Sequence, residues 1–261
     1  MRSSLSLSGL SLTEAEVHLW LAADTASPEQ LKAYEPFVSD DERRQAARFH
    51  FDRDRTRYLV TRALVRTTLS RYASIAPEKW TFATNAYGRP EISNGEAPVM
   101  RLSFNVSHSR GLIALAISRN RIVGVDIENI RGKDTSTAIA ERYFAQDEVT
   151  ALRALPAGRQ AHRFFELWTL KESYIKARGM GLSLPLKHFS FNFPTEQSVR
   201  LTVAESLNDP ADRWQFWQMA PSDTHLLALC IERAAEMHLT VREGMPLTQE
   251  SILATSATRM S

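Results

Sequence analysis

Asp126 and Glu128 stand two residues apart in GVDIE (residues 124–128), a spacing that could do chemistry. On an extended strand both carboxylates face one side, with Cα atoms roughly 6.6 Å apart, while Val125 and Ile127 face the other. Acids held so close repel unless a cation sits between them. Magnesium suits the pair, because it takes one or two carboxylates and leaves places for phosphate oxygens. The plain alternative is a strand ending at a solvated edge. Downstream, Trp168, Glu172 and Lys176 recur at four-residue intervals in WTLKESYIK (168–176), so a helix would carry an aromatic, a carboxylate and an ammonium on one face. Alone, that could be a surface ion pair of little worth. Lys171 lies on the same segment. Upstream, FNVSHS (104–109) closes a strand with Ser107 and His108, a hydroxyl and an imidazole placed to meet an anion; the histidine could equally be a capped or core residue. Arg43, Arg44 and Arg57 belong to a run of nine arginines from Arg43 to Arg71, with no lysine and only Asp52 and Asp54 against them. Guanidinium forks suit phosphate, although a solvated helix face accounts for most of the nine.

These side chains need elements to position them. Apolar patterning predicts strands over 17–21, 80–83, 102–107, 112–117 and 122–128, the last two closed as a hairpin by the turn 118–121. Helices are expected over 28–34, with proline at its start, from Ser39, where acids follow a capping residue, and over 54–72. In the last, Val60 and Leu64 mark one apolar stripe, and Val65, Leu69 and Tyr72 another. Tyr87-Gly88-Arg89-Pro90 reads as a turn. Helices near 135–143 and over 146–155 then lead to one over 162–177, which Gly179 stops and Gly181 and Pro185 keep from resuming. Strands follow over 189–193, 199–203, 214–219 and 226–231. GLIALAIS (111–118) and HLLALCIE (225–232) share a pattern, and each half sets a long helix before strands. The expectation is an α+β fold of two pseudo-symmetric lobes, each with a long helix packed on a small, mostly antiparallel sheet. Its divisions are 1–122, 123–243 and a loose polar tail, 244–261.

Composition narrows the function classes. The 261 residues suffice for one large domain or two modest ones; 43% are hydrophobic and 24% charged, ordinary for a folded protein. A formal charge of +2 does not by itself argue for nucleic acid. Cys230, the single cysteine, excludes an internal disulfide and a thiolate-rich zinc site, suits a reducing compartment, and reads as a small core residue. No apolar stretch approaches the ~20 residues of a membrane helix, and the first twenty residues hold no continuous apolar segment. A cytoplasmic protein is expected.

FNVSHS, GVDIE and WTLKESYIK, with GLSLPL (181–186) after them, resemble the Sfp-type 4′-phosphopantetheinyl transferase family from about Ala47 to Ile231. GVDIE paired with WxxKESYxK carries most of the specificity. The resemblance implies coenzyme A in a cleft between two α+β lobes. It implies transfer of its 4′-phosphopantetheine arm to a serine of an acyl or peptidyl carrier protein, with release of 3′,5′-ADP. It matches Asp126, Glu128 and Glu172 to magnesium ligands, and Lys176 to the lysine near the pyrophosphate. His108 and Arg57 match contacts to the 3′-phosphate, Ser107 a contact in the same strand end, and Gly88-Arg89-Pro90 the turn beside the adenine. Glu172 is then the candidate base for the serine, and Lys176 a positive centre where charge grows. Relatives carry lysines ahead of the RF motif where this chain has Glu42 and Gln45, with Arg43 and Arg44 nearby. A hydrophobic carrier contact falls at about 140–155. The implied protein is a monomer that binds neither nucleic acid nor membrane. Two other readings use the same residues. A magnesium-dependent nuclease or phosphodiesterase would need no coenzyme A. A non-catalytic nucleic-acid-binding module would use the arginine run and survive loss of the acids.

Overall fold

Strands that are apolar on both faces need cover on both faces, and the chain supplies it in layers. The computed structural model describes residues 9–95, 101–132, 137–248, 250–253 and 257–261. The first half runs β1 (Glu16–Ala23), α1 (Pro28–Tyr34), α2 (Asp40–Ala46), α3 (Asp52–Leu69), β2 (Phe82–Thr84), β3 (Pro90–Ile92), β4 (Leu102–Ser109) and β5 (Leu112–Arg119). The second runs β6 (Val123–Asn129), α4 (Thr137–Tyr143), α5 (Gln146–Arg153), α6 (Ala157–Arg178), β7 (Phe189–Thr195), β8 (Ser198–Val203), β9 (Trp214–Ser222) and β10 (His225–Glu232). Three short strands end it: β11 (His238–Glu243), β12 (Ser251–Ile252) and β13 (Arg259–Met260).

The fold is mixed α/β. Among the described residues the strands form one sheet in the order β12-β11-β1-β5-β4, a second in the order β6-β10-β9-β13-β8-β7, and the small β2–β3 pair. Period-two alternation divides each central strand between two cores. In β5, Ile113, Leu115 and Ile117 pack on α3 through Val60 and Leu64, while Ala114 and Ala116 face the second sheet. In β10, Ala228 and Cys230 face α6, while Leu227, Leu229 and Ile231 meet the first sheet. The layers are therefore helix, sheet, sheet, helix, which is why GLIALAIS and HLLALCIE read as unbroken apolar runs. Cys230 is fully buried.

The Ser39 cap forms as expected, and Ser27 caps α1 in the same way. Ser27 and Ser39 accept from the backbone N–H of Gln30 and Glu42, whose side chains accept in return from the cap N–H groups. Helix α3 has no side-chain cap, but Asp52 and Asp54 sit at the positive end of its dipole.

Several expectations are corrected. β5 and β6 form no hairpin: β4 and β1 occupy both edges of β5, and β6 crosses to pair with β10. The boundary at 243 does not follow the sheets, because β11 runs parallel to β1 in the first sheet. The described part of the tail is not loose. β12 pairs with β11, and β13 inserts between β8 and β9, burying Arg259 against Glu166 at 2.5 Å and Gln218 at 2.9 Å. The predicted strand over 80–83 is shifted to β2. The predicted helix near 135–143 is present over its described part, Thr137–Tyr143; residues 133–136 lie outside the described set.

Candidate active site

The site depends first on Gly124. A Cβ there would lie 2.1 Å from the Ser173 carbonyl oxygen and 2.4 Å from the Ala177 nitrogen, so only glycine lets β6 lie directly on α6. The helix ends at Gly179, in the left-handed conformation at φ 63°. Its last carbonyls are met by the turn between β2 and β3. Arg89 donates to the carbonyl oxygens of Ala177 at 2.6 Å, Lys176 at 3.1 Å and Val123 at 3.2 Å, and Asn85 donates to that of Gly179 at 2.9 Å. Gly88 takes a φ of +85° in the turn. The Arg89 guanidinium is thus committed to the helix end.

The edge strands β4 and β6 meet side by side through side chains. Asn105 Oδ1 accepts from the Val125 N–H at 2.8 Å, Ser107 Oγ from Ile127 at 3.4 Å and Ser109 Oγ from Asn129 at 2.7 Å. The polar alternation of FNVSHS is this zipper. Ser107 is also not a free hydroxyl awaiting an anion. It donates to Asp126 Oδ1 at 3.0 Å and accepts from Lys176 Nζ at 2.8 Å, which fills its hydrogen-bonding capacity. Lys176 Nζ lies 2.6 Å from the same Asp126 oxygen.

Two adjoining cavities open here. One of about 400 Å³ is lined by Arg62, Ser107, His108, Asp126, Glu128 and Lys176. The other, about 300 Å³, is lined by the Gly88-Arg89-Pro90 turn, Glu172 and Gly181, and shares Pro90, Asn105, Val106 and Lys176 with the first. A cavity of about 450 Å³ around Trp214 and Ser261 contains none of these groups. Burial, followed by the charge of Asp126, pushes the Glu172 carboxyl up to about 7; Lys176 opposes the shift and Glu128 adds to it. His108 is held below its ordinary value by desolvation and then by Arg57, Lys176 and Arg62. Arg57 itself is braced by Asp54 at 2.6 Å. His108 is therefore approached by Arg57, Lys176 and Arg62, and Glu172 by Asp126, Lys176 and Glu128. Among the described residues no three His, Cys, Asp or Glu side chains converge closely enough to hold a metal ion, and Lys176 is the cation paired with Asp126. The donor chemistry nevertheless suits a hard divalent ion, and the buried Asp126 Oδ2 has no hydrogen-bond partner.

Residues 122–230 match the 4′-phosphopantetheinyl transferase superfamily, and residues 23–120 match the 4′-phosphopantetheinyl transferase N-terminal family. The 4′-phosphopantetheinyl transferase HetI of Nostoc sp. is 31% identical over 222 residues, 85% of this chain and 90% of that protein. The chain belongs to the 4′-phosphopantetheinyl transferase superfamily. The Sfp transferase of Bacillus subtilis is 33% identical over 180 residues, 69% of this chain and 77% of that one. A transferase of Bacillus pumilus is 31% identical over 232 residues, 88% and 93% respectively.

Other parts of this transferase depart from the sequence reading. Lys171, one position from Glu172, points away from the cleft. It is fully buried, 2.8 Å from Glu148, and donates to the carbonyl oxygens of Phe189 at 2.7 Å and Leu186 at 2.9 Å. A helix turns 100° per residue, so neighbours on the chain serve different cores. The arginine run is not an open basic strip: Arg43 and Arg44 pair with Asp40 and Asp41, Arg55 with Asp52, and Arg66 with Glu42 at 2.9 Å. Sequence reasoning missed Arg62 and Asn105 in the cavity wall. FNVSHS held a signal for Asn105 in its alternation; Arg62 was one arginine among nine.

Proposed function

We propose that this transferase moves the 4′-phosphopantetheine arm of coenzyme A onto a serine hydroxyl of an apo acyl or peptidyl carrier protein, releasing 3′,5′-ADP. The observation that carries the reading is the meeting of Asp126, Glu128, Glu172 and Lys176 where two cavities adjoin, with His108 in the wall and Arg57 near it. Arg57 and His108 hold the 3′-phosphate. The Gly88-Arg89-Pro90 turn flanks the adenine, through its backbone and Pro90 because the Arg89 guanidinium is engaged. Ser107 acts by orienting Lys176. Asp126, Glu128 and Glu172 would hold a magnesium ion. When bound, that ion offsets diphosphate charge and stabilises the leaving 3′,5′-ADP.

Glu172, with its carboxyl near neutrality, takes the proton of the carrier serine as the serine Oγ attacks the phosphorus nearest the pantetheine arm. The bond from that phosphorus to the oxygen on the ADP side breaks, and the oxygen leaves with the electron pair. Lys176 sets positive charge beside the phosphates, where negative charge grows. Exposed Ile139 and Tyr143 on α4 support carrier docking near 140–155.

Two related lobes are supported by β5 lying beside the seam strand β4, and β10 beside the seam strand β6. The arginine pairings fit a protein that does not act on nucleic acid. No helix among the described residues is long and apolar enough to cross a membrane. The test is mass spectrometry of apo carrier proteins incubated with enzyme, coenzyme A and magnesium. A gain of one phosphopantetheine group is expected; no gain on any carrier, with hydrolysis of nucleic acid instead, overturns the reading.

A further inference from the structure

Arg62 differs from its neighbours on α2 and α3. Arg43, Arg44, Arg55, Arg57 and Arg66 are each paired with a carboxylate, whereas no described carboxylate lies within ion-pair reach of Arg62. Its Nε is buried with no hydrogen-bond partner. Its guanidinium lies 5.2 Å from the ring centre of Tyr58, one helical turn earlier, and its side chain lines the cavity beside His108 and Lys176. Stacking restrains the plane of the group and leaves its N–H edge available. The side chain is half-buried at the cavity wall, and a phosphate would meet its N–H donors with several oxygens at once. Helix α2 offers no equivalent. Glu42 turns inward to the Ser39 N–H at 2.8 Å and Arg66 Nε at 2.9 Å, and Gln45 accepts from Arg48 at 3.4 Å.

We propose that Arg62 is a specificity residue binding the 3′-phosphate of the co-substrate together with Arg57 and His108, in place of a cation from α2. The assignment rests on coenzyme A occupying this cleft. Full-length wild type, Arg62→Met and Arg62→Lys are compared in initial rates with coenzyme A and with 3′-dephospho-coenzyme A, at fixed magnesium and apo carrier. Arg62→Met raises the KM for coenzyme A about 10- to 100-fold, the span of a charged hydrogen-bonding contact, with kcat within about threefold. The KM for the dephospho form moves less than about twofold, and Arg62→Lys recovers part of the loss. Equal rises for both co-substrates, an unchanged KM for coenzyme A, or a rise confined to the carrier overturns the proposal. If Arg62→Met does not fold, Arg62→Lys carries the test, with a severalfold rise for coenzyme A alone. Wild type that modifies no carrier removes the functional reading, and this assignment falls with it; a wild type that turns over without discrimination at Arg62 removes only the assignment.

Discussion

Glu172 shows how one carboxyl can be tuned by its place. Burial and the nearby Asp126 both disfavour its charged form, and Lys176 only partly offsets them. A glutamate pushed up to about 7 is matched to accept a proton near neutrality. The sign for stability is opposite to that of a salt-bridged acid. A folded-state value above the unfolded one favours the fold at low pH, and that contribution fades as pH rises from about 4.5 through 7. Glu172→Gln should therefore abolish carrier modification yet melt no lower than wild type at pH 8 without added metal. A clear drop in Tm alongside the lost activity would mean that Glu172 supports the fold. Lys171 tests the reverse case. Lys171→Met leaves Glu148 buried and unpaired, a loss of about 3–5 kcal/mol in chemical denaturation, and adding Glu148→Leu should restore much of it.

At the scale of elements, the closeness of β6 to α6 sets the site. Gly124→Ala drives a methyl into helix backbone that no rotamer change can relieve, so stability should fall by about 1–3 kcal/mol or more, with activity lost in the folded fraction. Gly158, in the first turns of α6, is the control. A Cβ there meets nothing within 4 Å, so Gly158→Ala should leave activity unchanged and stabilise by about 0.4–1 kcal/mol. Similar losses in both variants would show that the close approach of strand to helix at Gly124 is not what sets the cost. The β4–β6 zipper works with this contact: alternate side chains of one edge strand satisfy alternate N–H groups of the other. The two edges cover each other, which also protects them from pairing elsewhere.

Across the whole molecule, the chain's last strands tie both sheets, β11 and β12 to the first and β13 to the second. Under the first sheet lies a buried polar pair with a consequence for pH. Trp20 donates to the Tyr72 hydroxyl at 2.9 Å, and His18 Nδ1 is hydrogen-bonded to the same oxygen at 2.7 Å. Burial, then Arg242, lowers His18 to about 4, with Glu16 opposing. Unfolded histidine titrates near 6.5, so the unfolded chain binds the extra proton between those values. The stabilisation is complete above about pH 6.5 and is lost as pH falls toward 4, on the order of 3 kcal/mol in all. His18→Gln, which keeps a polar partner for Tyr72, should flatten the fall of Tm across this window; an unchanged slope would assign the effect to another group.

Much of the site was legible in the chain because its chemistry is local in sequence. GVDIE and WTLKESYIK each put their acids and lysine at the period of a strand or a helix, and the central strands and long helices follow from apolar spacing. The partners of those elements were not legible. Which edge β5 offers to β4, where β11 and β13 return, why Gly124 must be glycine and why Lys171 turns from the cleft all depend on contacts between residues far apart. Periodicity specifies the face a side chain takes, whereas its neighbour is chosen by how whole layers exclude water and satisfy buried N–H groups together. Arg62 lies on that side of the divide: its type was visible, but only the fold leaves it without a carboxylate at a cavity wall.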